Sequence, residues 1–112
     1  MVENNEFSTK YVLYVGTNDK DTYKSEIPLE DAKKFIDEIC LKYVDGYTVQ
    51  DANGCWTDEK KNITKENTIV CTLLDADDKT VHKIADEIRL KLNQNSIMIE
   101  TNKVKTEFYE GK

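Results

Sequence analysis

The segment Asp31-Ala32-Lys33-Lys34-Phe35-Ile36-Asp37-Glu38-Ile39-Cys40-Leu41-Lys42-Tyr43 decides the fold. Ala32, Phe35, Ile36, Ile39, Cys40 and Tyr43 recur at three- and four-residue spacing and form one helical stripe, while Lys33, Lys34, Asp37 and Glu38 face away. A helix that is apolar along a single stripe must lie on another layer to bury it. Pro28 carries the φ of a first helical turn, so the helix is predicted to begin near it. Asp45-Gly46 is expected to end it, with Gly46 free to take positive φ.

Working outward, Val81, Ile84, Ala85, Ile88 and Leu92 make a second stripe, preceded by Asp75-Ala76-Asp77-Asp78, whose carboxylates suit an N-cap and the helix dipole. Strand-favouring runs flank both helices. Lys10 to Thr17 is rich in β-branched and aromatic residues and ends at a glycine, and a polar loop follows from Asn18 to Ser25. Tyr47 to Thr57 reads as extended, interrupted by Asn53-Gly54, a dipeptide that favours a type I′ turn or a bulge. The bulge is preferred, with the hairpin turn at Asp58 to Asn62. Thr64 to Leu74 alternates and then becomes continuously apolar, which predicts a central strand. Ser96 to Glu100 and Val104 to Tyr109 are two strand-like pieces divided by Asn102-Lys103, either one bent strand or two.

The resulting order is β-α-β-β-α-β. Two one-sided helices bury their stripes together only by sharing one face of an antiparallel sheet, so the predicted class is α+β, a ferredoxin-like sandwich with a possible extra C-terminal strand. A single domain is expected over residues 10–110, after an untethered segment 1–9. The 27 Leu, Ile, Val and Phe residues of this 112-residue chain suffice for one core.

Twenty-two acidic against 16 basic residues give a net charge of −6, which disfavours nucleic acid as a partner. No run approaches the roughly 20 apolar residues of a membrane helix, and the polar, acidic start from Met1 to Lys10 does not resemble a leader, so a cytoplasmic, non-membrane protein is expected. Cys40, Cys55 and Cys71 are odd in number and lack Cys-x-x-Cys spacing, which argues against a disulfide framework or a zinc site. No cofactor and no metal is expected. Cys40 and Cys71 occupy apolar positions, where a thiol acts as a small hydrophobe.

The chain resembles DUF3574, a family of small bacterial proteins without an assigned function. Carrying the resemblance are the strand ending in Gly16, Asp45-Gly46-Tyr47-Thr48, Gly54 with Trp56, Glu66, Gln94-Asn95-Ser96-Ile97 and Phe108, spread over about Tyr11 to Phe108. Many members look exported, whereas this sequence shows no leader. The resemblance implies no catalytic residue.

Trp56, the only tryptophan, offers a stacking face and one donor, or else a core or interface residue. Glu66 is a lone carboxylate near the hairpin that pairs with Gln94 or a lysine, serves as a general base, or accepts a structural bond from backbone. Gln94 and Ser96 form a polar rim with Thr48 and Gln50 if their strands neighbour one another; otherwise they cap the second helix. Lys65, with Lys60 and Lys61, is a candidate phosphate contact or a solvated face. Gly16-Thr17-Asn18 is a weak anion motif. The single histidine, His82, has Asp86 at i+4 and no metal-ligand set.

The leading expectation is a non-enzymatic module that binds a small molecule or nucleotide through Trp56, Glu66, Gln94, Ser96, Thr48 and Lys65, as a sensor or a sequestering protein, within a homo-oligomer. The alternatives are a small hydrolase or isomerase using Glu66 as base, and a protein-interaction module.

Overall fold

The computed structural model describes residues 7–111. The chain forms β1 (Phe7–Gly16), α1 (Leu29–Leu41), β2 (Thr48–Thr57), β3 (Ile63–Leu74), α2 (Asp78–Lys91) and β4 (Met98–Lys105). The strands make one sheet in the order β2-β3-β1-β4, with every pairing antiparallel. Both helices lie on one face: Ala32, Ile36, Ile39 and Cys40 of α1 and Val81, Ile84, Ala85 and Ile88 of α2 share a core with Tyr11, Leu13, Val15, Ile69, Cys71 and Leu73. This is the ferredoxin-like α+β sandwich. Leu13, Ile36, Ile69, Leu73, Ile84 and Ile88 are fully buried, and burying each side chain stabilises the fold by about 1.5–3 kcal/mol before the entropic cost of ordering it.

Local chemistry explains the element ends. Pro28, with φ −57° and ψ 146°, stands just ahead of α1. The Asp77 carboxylate caps α2 by accepting the Thr80 N–H at 2.7 Å, which holds this carboxyl below the ordinary aspartate range. The hairpin turn falls at Asp58–Asn62 as expected: the Asp58 N–H donates to the Asn62 carbonyl at 3.0 Å, and Lys61 takes the left-handed φ of 70°. Strand β3 is central.

Several expectations change. Alpha-helix 1 ends at Leu41, and Tyr43 and Val44 close its last turn by donating to the Cys40 carbonyl at 2.9 Å each. Gly46 therefore takes no positive φ, and Tyr43 leaves the core stripe to give its hydroxyl to Glu87 on α2. The left-handed residue lies instead at the exit of α2, where Asn93 has φ 50° and the Gln94 N–H returns to the Arg89 carbonyl at 2.8 Å. Strand β2 has no bulge: Asn53, Gly54 and Cys55 pair one to one with Asn67, Glu66 and Lys65. Strand β4 is single and continuous through Asn102-Lys103, because β1 supplies a partner at every position from Phe7 to Tyr14. For the same reason β1 begins at Phe7, and only Met1 to Glu6 of the segment expected to be untethered lie outside the described residues.

Candidate functional site

Strand alternation puts Trp56 of β2, Glu66 of β3 and Gly16 of β1 on the sheet face that the helices leave uncovered. The three meet at the corner where β1 stops and the β2–β3 hairpin runs on. The Glu66 carboxylate lies over Gly16: a Cβ there would meet its Oε1 at 2.8 Å and its Oε2 at 2.9 Å. Glycine is needed here for close approach, since its backbone φ is ordinary. Gly54 plays a matching part, because a Cβ on it would stand 2.5 Å from the Thr68 hydroxyl.

Two N–H groups hold the carboxylate. The Asn18 backbone donates to Oε2 at 2.9 Å, and the Trp56 indole Nε1–H donates to Oε1 at 3.2 Å. A carboxylate has about four acceptor positions, so roughly two stay free for a ligand's donors. Trp56 is 50% exposed and keeps ring surface open beside the carboxylate. It is not a core residue of this chain. Neighbouring contacts make the corner rigid: the Thr17 hydroxyl donates to the Asn67 carbonyl at 2.8 Å, and the buried Gln94 amide donates to the Asn18 carbonyl at 2.7 Å and the Leu92 carbonyl at 3.2 Å. The Asn18 peptide is thus gripped from one side by Glu66 and from the other by Gln94.

Not every expected residue joins this corner. Gln94 reaches it only through Asn18 and does not touch Glu66. The proposed rim of Thr48 and Gln50 with Gln94 and Ser96 fails on topology: β2 and β4 are opposite edges of the sheet. Thr48 also lies six residues along β2 from Gly54, about 20 Å at the rise of an extended strand. Ser96 is exposed in the turn ahead of β4. Lys65 points to the helix side of the hairpin, where it helps line an open recess of about 510 Å³ with Asn18, Asn53, Gly54, Cys55, Glu66 and Asn67. Lys60 and Lys61 sit exposed at the hairpin tip. His82 bonds the Asp78 carbonyl on the exposed side of α2, away from the corner.

Of the weak anion motif Gly16-Thr17-Asn18, the Asn18 N–H does meet an anion, the chain's own Glu66 carboxylate, while the Asn18 carbonyl accepts from Gln94, a contact the sequence did not signal. A larger space of about 590 Å³ lies between the outer surfaces of the helices, lined by Phe35, Ile39, Leu90 and charged neighbours. Of its charged lining, the Glu87 carboxylate is taken up by Lys42 and Tyr43, and Glu38 is exposed on α1. Among the described residues no cluster of His, Cys, Asp and Glu has the arrangement of a metal site, and no helix is long and apolar enough to cross a membrane.

Solved structures share this architecture. A phage SAM lyase in complex with S-methyl-5'-thioadenosine superposes with a TM-score of 0.63 at 17% identity, covering 92% of this chain and 93% of that one. B. subtilis GlnK with ATP gives a TM-score of 0.47 at 16% identity, covering 88% and 82%. At such identities the likeness concerns the fold alone. No curated protein matches the chain. Gly16, Gly54, Trp56, Glu66 and Gln94, five of the residues that carry the family resemblance, build or brace the corner just described, and the family model matches residues 10–108: this chain belongs to DUF3574, proteins of unknown function.

Proposed function

We propose that this protein binds a small nucleoside-like molecule at the corner formed by Glu66, Trp56 and Gly16, and acts as a sensor or sequestering protein rather than as an enzyme. The observation that carries this reading is the Glu66 carboxylate, held over Gly16 by two N–H donors with acceptor positions to spare, beside an exposed indole face. A planar ring stacked on tryptophan gains about 1–3 kcal/mol, and a sugar diol would supply the donors that Glu66 still accepts.

Charge selects within the nucleotide class. Glu66 is an anion, and among the described residues the only strand lysine on its face, Lys10, lies toward the far end of β1, while Lys65 projects to the other side of the sheet. A neutral or cationic nucleoside therefore fits better than a polyphosphate. Fold-level likeness to a lyase that holds S-methyl-5'-thioadenosine, a nucleoside without phosphate, agrees with this selection.

Trp56 is the only tryptophan, so its fluorescence reports the site directly. Titrating nucleosides and the corresponding triphosphates should change the emission for the nucleosides alone, and Glu66→Gln should weaken that binding at least tenfold. No response from any nucleoside at about 1 mM, where even a weak complex is populated, would exclude the proposal. So would tighter binding of the triphosphates.

A further inference from the structure

Both helices pack on one face of the sheet, and neither covers the other face. Its positions alternate through all four strands: Lys10, Val12, Tyr14 and Gly16 on β1, Thr48, Gln50 and Ala52 on β2, Thr68, Val70 and Thr72 on β3, and Met98, Glu100 and Val104 on β4. Val12 and Val70 at its centre are only 6% and 8% exposed within the single chain. Their neighbours Tyr14, Thr72 and Gln50 frame them, and Met98, 61% exposed, flanks them. This is an apolar centre in a mostly uncharged polar surround, with Glu100 paired directly beside Val12 and Lys10 next to it along β1.

Charge distribution sets this face apart. The chain has 38 charged residues among 112, yet among the described residues the strands place only Lys10, Glu66 and Glu100 on this face. Both glutamates are already engaged, Glu66 by Asn18 and Trp56, and Glu100 by the Tyr14 hydroxyl at 2.8 Å. Most of the net charge of −6 therefore lies elsewhere, and two copies approaching through other surfaces meet stronger repulsion. Size agrees as well. Four strands about 4.8 Å apart and about ten residues long span roughly 19 by 33 Å, so two such faces offer about 1,200 Å² in plan. A specific interface needs about 1,000 Å².

We propose that this face binds a second copy of the same chain, sheet against sheet, so that the protein is a homo-oligomer whose interface is centred on Val12 and Val70. Paired sheets pack about 10 Å apart, a gap that valines, threonines and one tyrosine per face can fill from both sides. The corner with Glu66 and Trp56 lies at the rim of this surface, beyond the end of β1, and a second copy supplies it with an outer wall. The assembly does not depend on what the corner binds.

The test is sedimentation velocity on the full chain at about 100 µM, a hundredfold above a micromolar dissociation constant. Wild type should sediment at a multiple of its 13.0 kDa mass. Gln50→Lys and Met98→Lys each add like charges to both sides of the contact at exposed positions, and should shift the species to monomer with unchanged circular dichroism. Leu90→Lys, on the exposed side of α2, should leave the assembly intact. Independently of the variants, the thermal midpoint of wild type should rise with protein concentration. A monomeric wild type with a concentration-independent midpoint overturns the proposal. Dissociation by Leu90→Lys but not by the sheet variants, or a mass that requires a different polypeptide, overturns it equally.

Discussion

Replacing Gly16 by alanine asks whether this glycine exists to make room for a carboxylate. The added methyl would stand 2.8 Å from Glu66 Oε1 and 2.9 Å from Oε2, closer than such contacts occur, and 3.0 Å from Cδ, a tight contact. Because a glutamate terminus is flexible, the side chain should swing aside rather than the backbone move. That displacement breaks the bonds from the Asn18 N–H and the Trp56 indole. Hydrogen bonds to a charged acceptor contribute about 1.5–3 kcal/mol each, and partial exposure of Glu66 places the pair near the lower end of that range in total. Alanine in a strand recovers about 0.5–1 kcal/mol relative to glycine, which leaves a net loss of about 0.5–1 kcal/mol. Urea denaturation of Gly16→Ala, Glu66→Ala and the double variant measures it. The expected result is strong coupling: in the Glu66→Ala background, Gly16→Ala should be neutral or stabilising. Equal destabilisation in both backgrounds would refute the account, because the methyl would then be clashing with something other than the carboxylate.

Gln94→Ala leaves the Asn18 and Leu92 carbonyls without their amide donor in a buried setting, and should cost about 1–3 kcal/mol by urea denaturation, with faster amide exchange in the Asn18 to Ser25 loop. Cys40 and Cys71 are buried with sulfurs 3.7 Å apart, and the Cys71 sulfur, together with burial, pushes the Cys40 thiol up; Cys55 is exposed. Native protein should therefore take one equivalent of a thiol reagent, and three after unfolding, as read by intact mass. The Asp77 cap holds its carboxyl below the ordinary 3.8, so its stabilisation is complete above that value and is lost as pH falls through the lower, folded-state value. Wild type should accordingly be more stable than Asp77→Ala at pH 7, with the gap closing in strongly acidic buffer. A gap that stays constant with pH would show that the cap does not act through its charge.

What the sequence determined by itself is the layered architecture. Two stripes at helical spacing, around Ile36 and around Ile84, and runs such as Ile69 to Leu74 can bury their apolar sides in few ways, and the order of elements left one. Asp77 and the Asp58–Asn62 turn were readable because capping and turn chemistry depend on neighbours in the chain. Gly54 was misread for the complementary reason: Asn53-Gly54 is a local turn signal, but ten residues of pairing with β3 override it, and the glycine instead clears space for Thr68. Strand order was equally out of reach of periodicity, and it alone separated Thr48 from Ser96. Only the tertiary structure brought Gly16, Trp56 and Glu66 to one corner and made the Asn18 peptide its centre. Those contacts join residues some 50 positions apart through backbone groups and a missing Cβ, and neither a peptide N–H nor an absent side chain leaves a periodic signal along the chain.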